Sequence, residues 1–74
     1  MTLQEVQRQA ARFRQMVDRN NMEEDITEQC DEWAEIDDAR GSWILGVMEA
    51  IAEGSITGGT AQEFAAAALK AYGD

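Results

Sequence analysis

Proline is absent from this chain, and its apolar side chains recur at steps of three and four residues along most of its length. That period belongs to helices, and no ring-locked residue interrupts it. Val, Ile and Thr never alternate with polar residues over a useful length, so strand signals are lacking. The sequence therefore predicts an all-α fold. With 74 residues it makes one helical domain, 1–74.

Start and stop signals divide the pattern into a small bundle of four short helices. The first is expected from Leu3 to Arg19, with Thr2 and Glu5 spaced as a capping box and Asn20–Asn21 as the stop. Leu3, Val6, Ala10, Phe13 and Val17 step by 3-4-3-4 and form a coiled-coil-like seam. The second is expected from Glu23 to Ala39, with Ile26, Cys30, Trp33 and Ile36 as its apolar stripe. Arg40-Gly41-Ser42 reads as a break, although one bent helix through this point is the alternative. The third runs from Trp43 to Glu53 and is closed by Gly54; Ser42, Gly46, Ala50 and Gly54 give it a strip of small side chains. The fourth opens at Thr60, again with a capping box to Glu63, and ends at Gly73.

So short a chain buries only about 60% of its unfolded surface and usually needs an added stabiliser. Cys30 is the single cysteine and histidine is absent, which excludes an internal disulfide and a His/Cys zinc site. A homodimer is expected in their place, through the first seam or the small-residue strip. The stretch Met1 to Glu5 has neither the basic nor the apolar region of a signal peptide, and the run from Trp43 to Ala52 is about half of a membrane span. With one free thiol, these features lead to the expectation of a soluble, cytoplasmic protein without a membrane partner.

The net charge is −9, and it is localised. Between Glu23 and Asp38 nine of sixteen residues are acidic and none is basic, whereas the first helix carries Arg8, Arg12, Arg14 and Arg19 against Glu5 and Asp18. Glu24, Glu28, Asp31, Glu35 and Asp38 step by 4, 3, 4 and 3, which places them on one helical face. Like charges so spaced disfavour the helix, so something outside it should favour the arrangement. Two readings are open: the ridge is neutralised by the first-helix arginines or simply solvated, or it docks on a basic surface. Carboxylates rising about 5 Å per turn are spaced comparably with phosphates along one DNA strand, so that surface could be a nucleic-acid-binding site on a partner protein. Direct binding of nucleic acid is disfavoured by repulsion.

Catalytic groupings are sparse. Without histidine there is no His-based triad or base. Cys30 reads as a buried, inert thiol on the apolar stripe. Taking Asp38 as the first position of a calcium-binding loop puts Trp43 where glycine is required. No cofactor and no metal is expected beyond weak surface cation binding. Trp33 and Trp43 read as core anchors, or as partner anchors at the corner between the second and third helices.

Two resemblances add to this reading. Ser42 opens an apolar, Met-containing helix, and Thr60-Ala61-Gln62-Glu63-Phe64-Ala65 resembles the last helix of acyl carrier proteins, which implies phosphopantetheine on that serine. The family's Asp-Ser-Leu is Gly41-Ser42-Trp43 here, only 32 residues follow the serine, and the acidic run precedes it. In size, charge and lack of catalytic groups the chain is also similar to the small acidic helical proteins with which phages inhibit CRISPR and restriction systems. The leading expectation is a non-enzymatic inhibitor or adaptor that presents Glu24, Glu28, Asp31, Glu35 and Asp38, with Trp33 or Trp43, to a basic partner. A self-association or assembly subunit, in which the ridge only solubilises, comes second, and a carrier domain third.

Overall fold

A computed structural model describes residues 1–73; Asp74, the last residue of the expected 1–74 domain, lies outside the described residues. The fold is all-α, with helices α1 (Leu3–Asn21), α2 (Ile26–Glu53) and α3 (Ala61–Leu69), followed by a 3₁₀ turn, Lys70–Tyr72. The expected second and third helices are one. α2 runs for 28 residues through Arg40-Gly41-Ser42, so three helices stand in place of four. The cost of about 1 kcal/mol for a helical glycine is met because Ile36, Arg40, Val47 and Ala50 on both sides of the glycine bury the same face of α2. At 1.5 Å per residue, α2 is about 42 Å long. It thus runs the length of a molecule measuring 42 × 16 × 16 Å.

The caps follow local chemistry. The hydroxyl of Thr2 accepts from the amide of Glu5, and Thr60 and Glu63 form a full capping box. α2 starts three residues later than expected because Asp25 is its N-cap, accepting from the amides of Thr27 and Glu28. The Asn20–Asn21 pair is not a left-handed stop. α1 continues through Asn21, and buried Asn20 donates from Nδ2 to the Gln29 carbonyl at 3.0 Å. Gln29 Nε2 donates back to the Asn20 carbonyl at 3.1 Å. This reciprocal pair closes the α1–α2 hairpin. At the other end, the α2–α3 connection holds the N-terminus: Leu3 N–H donates to Thr57 O at 3.0 Å, and Thr57 N–H to Met1 O at 2.9 Å.

The core has two parts. Val6, Val47, Phe64, Ala67 and Ala68 form one; Ala10, Phe13, Val17, Ile36 and Ala71 form the other. Half-buried Trp43 packs against both, its ring 5.3 Å from that of Phe13. The first-helix seam is therefore consumed within the chain: Val6, Ala10, Phe13 and Val17 are all buried there and offer no face for a second subunit. Of the small-residue strip, Ala50 is buried while Ser42 and Gly54 are exposed.

The apolar stripe expected on the second helix fares differently. Ile36 is buried, but Ile26 is 75% exposed, Trp33 is 41% exposed and Cys30 is exposed, not a core thiol. α3 is only nine residues long and packs beside the C-terminal half of α2, so it does not cover the N-terminal half.

Arg40, read from sequence as part of a break, is 6% exposed and serves as a core residue. Its Nη1 donates to the Ala71 carbonyl at 3.0 Å, and its guanidinium lies 4.0 Å from the Tyr72 ring centre and 5.4 Å from that of Trp33. Its Nη2 is 3.5 Å from Asp37 Oδ1, while its Nε is buried without a hydrogen-bond partner. Arg40 thereby ties the C-terminal turn to the middle of α2.

A Cβ built on Gly41 meets nothing within 4 Å, and the residue is helical. Replacing Gly41 with Ala should therefore raise the unfolding free energy by about 0.5–1 kcal/mol in urea denaturation. Loss of stability would mean that the chain breaks at this position.

Candidate protein-binding surface

One uninterrupted helix fixes the register of every acidic side chain on it. Residues at steps of three or four stay on one side of α2, so Glu28, Asp31, Glu35 and Asp38 form a single row. All four are exposed. The same register carries the row onward: Ser42, Glu49 and Glu53 follow Asp38 at steps of 4, 7 and 4. From Glu28 to Glu53 the row is about 37 Å long at the α-helical rise. Splitting the sequence at Gly41 had hidden this extension. Glu24 is exposed but lies in the turn before α2 and is not part of the helical row.

The buried face of α2 carries Ile36, Arg40, Val47 and Ala50, and helical geometry sets the acidic row on the opposite side, toward solvent. Among the described residues no basic side chain closes an ion pair with it. Arg8, Arg12 and Arg19 are exposed on α1. Among the described residues there are two ion pairs, Arg14–Asp18 at 3.9 Å within α1 and Arg40–Asp37 at 3.5 Å within α2. Arg19 shares a shallow depression with Glu32 and Glu35 without closing to an ion pair. Neither observed pair involves Glu28, Asp31, Glu35 or Asp38, so no carboxylate of the row is held in an ion pair with the chain's own cations.

At the start of α2, Glu23, Glu28 and Glu32 bring carboxylate oxygens within 4.8 Å of one another. Glu23 accepts from the Asp25 amide, and Asn20 Nδ2 lies 3.5 Å from Glu32 Oε2. These bonds orient the carboxylates and leave their charge in place. Asp25 itself is taken up by capping.

The two tryptophans occupy different settings. Trp43 points into the core against Phe13. Trp33 stands on the surface beside the acidic half of α2, with one ring face toward Arg40. A groove of about 500 Å³ lies between α1 and α3 over Ala10, Ala11, Ala66 and Ala67. Its titratable lining is Glu63, Arg14 and Lys70, and Glu63 is occupied in the α3 capping box. No helix is long and apolar enough among the described residues to cross a membrane. Comparison with protein-family models, curated proteins and solved structures found no match.

Unscreened like charges should cost the folded chain stability. Changing Asp31 to Asn and Glu35 to Gln together is expected to add about 0.5 kcal/mol at low ionic strength. The gain should shrink in high salt, as thermal melts of both proteins would show. A net loss would mean that these carboxylates have partners in solution.

Proposed function

We propose that the protein acts by contact, as a non-enzymatic inhibitor or adaptor that lays the acidic face of α2 on a basic site of a partner protein, one built to bind nucleic acid. The observation that carries this reading is the row from Glu28 to Asp38: exposed at every position and joined to no basic side chain of the chain itself. A straight helix holds its carboxylates at fixed intervals, so a basic channel meets a preorganised array and little ordering entropy is lost on docking. Charge of one sign along one edge also steers encounter with a basic cleft. Trp33, half out of the surface beside the row, supplies an aromatic anchor of the type enriched at binding hot spots. The style of the molecule, small, acidic and helical, is that of phage-encoded inhibitors of host defence.

Self-association is a second reading, and the uncovered apolar side chains favour it. Met22 is 81% exposed, Ile26 75%, Met48 59% and Leu69 49%. Met22 and Ile26 lie around the start of α2, and Met48 and Leu69 line the α2–α3 groove; exposed apolar patches mark interaction surfaces more often than scattered single residues do.

Charge reversal at Glu28, Asp31 and Glu35, all to Lys, tests the first reading. The triple variant should keep its helical circular dichroism. It should lose capture of the basic partner from extracts of the source cell, and lose the ability to displace nucleic acid from that partner. Capture and displacement at unchanged strength would remove the acidic face from the interface.

A further inference from the structure

Two grooves flank α3, and they differ in charge. The one between α2 and α3, about 220 Å³, has no titratable residue in its lining. It offers no ionised group to orient a ligand. The one between α1 and α3, about 500 Å³, falls within the ~300–1,000 Å³ of small-molecule sites. Such sites join an apolar floor to a few placed polar groups, and this groove has both.

The helix register sets its floor and its ends. One part of the core joins Val6 to Phe64 and the other joins Phe13 to Ala71, so α1 and α3 run parallel. Ala10, Ala11, Ala66 and Ala67 lie between them as a floor of methyl groups. Leu3 and Glu63 stand at one end. Arg14 and Lys70 stand at the other, where a Cβ built on Gly73 would come 3.0 Å from Arg14 Nη1. From Leu3 to Arg14 the groove follows α1 for about 16 Å.

The two ends differ in what their charges already do. The Glu63 carboxylate accepts from the Thr60 amide and the Thr60 hydroxyl, each at 3.2 Å, within the α3 capping box. Among the described residues Lys70 is in no ion pair, and Arg14 approaches Asp18 at 3.9 Å, one turn further along α1. An exposed pair of this kind contributes little, and the guanidinium fork has donors to spare. Two of the chain's six basic residues thus line one end of an apolar groove, although acids number fifteen. α2, which bears the acidic row, contributes no lining residue.

A ligand that fits has an apolar chain for the alanine floor and an anionic head for the Arg14–Lys70 end. An extended chain advances about 1.2 Å per bond, so a dodecyl tail whose tip rests on Leu3 reaches about 13 Å and brings its head to the cations. A planar carboxylate matches the forked donors of arginine.

We propose that the α1–α3 groove binds a single-chain fatty carboxylate, its tail along Ala10, Ala11, Ala66 and Ala67 and its carboxylate at Arg14 and Lys70. The site is independent of what the acidic row binds and of self-association.

Titrating the full chain with monomeric dodecanoate, followed by amide chemical shifts, tests it. The shifts should centre on Ala10, Ala11, Ala66 and Ala67 and leave Ile44 and Met48 unmoved. Dodecyl maltoside, with the same tail and an uncharged head, should bind at least tenfold more weakly. In a chain of net charge −9 an anion gains over a neutral ligand only where cations are local, so that preference reports on the Arg14–Lys70 end. Arg14→Gln with Lys70→Gln should weaken dodecanoate at least tenfold and remove the preference. Ala11→Trp, at an exposed position, should keep its helical circular dichroism and abolish binding by filling the groove. Shifts centred on Met48 and Leu69, equal affinity for the two amphiphiles, or no shift at all would overturn the proposal. So would binding to phosphatidylglycerol vesicles without binding of free dodecanoate, which would make this face a membrane contact.

Discussion

The continuity of α2 is the constraint on which the rest of the molecule depends. Had the chain turned at Gly41, the acidic residues before it and the apolar residues after it would belong to separate helices with no fixed phase between them. Because the helix passes through, each face of α2 is defined over its full length. One side packs on α1 and α3, another carries carboxylates from Glu28 to Glu53, and a third carries Ile26, Trp33, Ile44 and Met48. A period of 3.6 residues keeps these three faces from mixing.

Few interactions hold so long a helix against so small a bundle. The Asn20–Gln29 exchange ties its start to α1, and Arg40 ties its middle to the Ala71 carbonyl. The side chain at position 40 has to be long, planar and permanently charged to bond that carbonyl while stacking on Tyr72, so lysine would be a poor substitute. Trp43 joins the two parts of the core against Phe13. Beyond these contacts the N-terminal half of α2 leans on α1 alone, which leaves both its acidic and its apolar side chains available.

Much of this was legible from residue spacing. Helix content, the caps at Thr2 and Thr60, and the apolar spacing of the α1 seam follow from local chemistry, and the structure has them, with the seam turned into the chain's own core and not toward a second subunit. Three readings failed for one shared reason: local signals do not report what packs against a helix. Gly41-Ser42 resembles a break until burial on both sides holds the helix together. Cys30 and Trp33 resemble core residues until α3 proves too short to cover them. Arg40 resembles part of that break until burial beside Ile36 and Val47 makes it a core residue. The acidic row was visible in part, and its continuation to Glu49 and Glu53 followed only from the unbroken helix. Whether the α1 arginines meet that row depends on interhelix geometry, to which one-dimensional spacing is blind.

The functional account turns on that last point. If the acidic row is unpaired in the folded chain, it is free for a basic partner; if α1 neutralises it, the protein has spent its charge on itself. Thermal unfolding across a sodium chloride series separates the two most directly. Screening weakens repulsion between unpaired carboxylates, so the account predicts a midpoint that rises as salt is added. A midpoint that falls would show that attraction between α1 and α2 holds the fold together, and would contradict the claim that the acidic face is open to a partner.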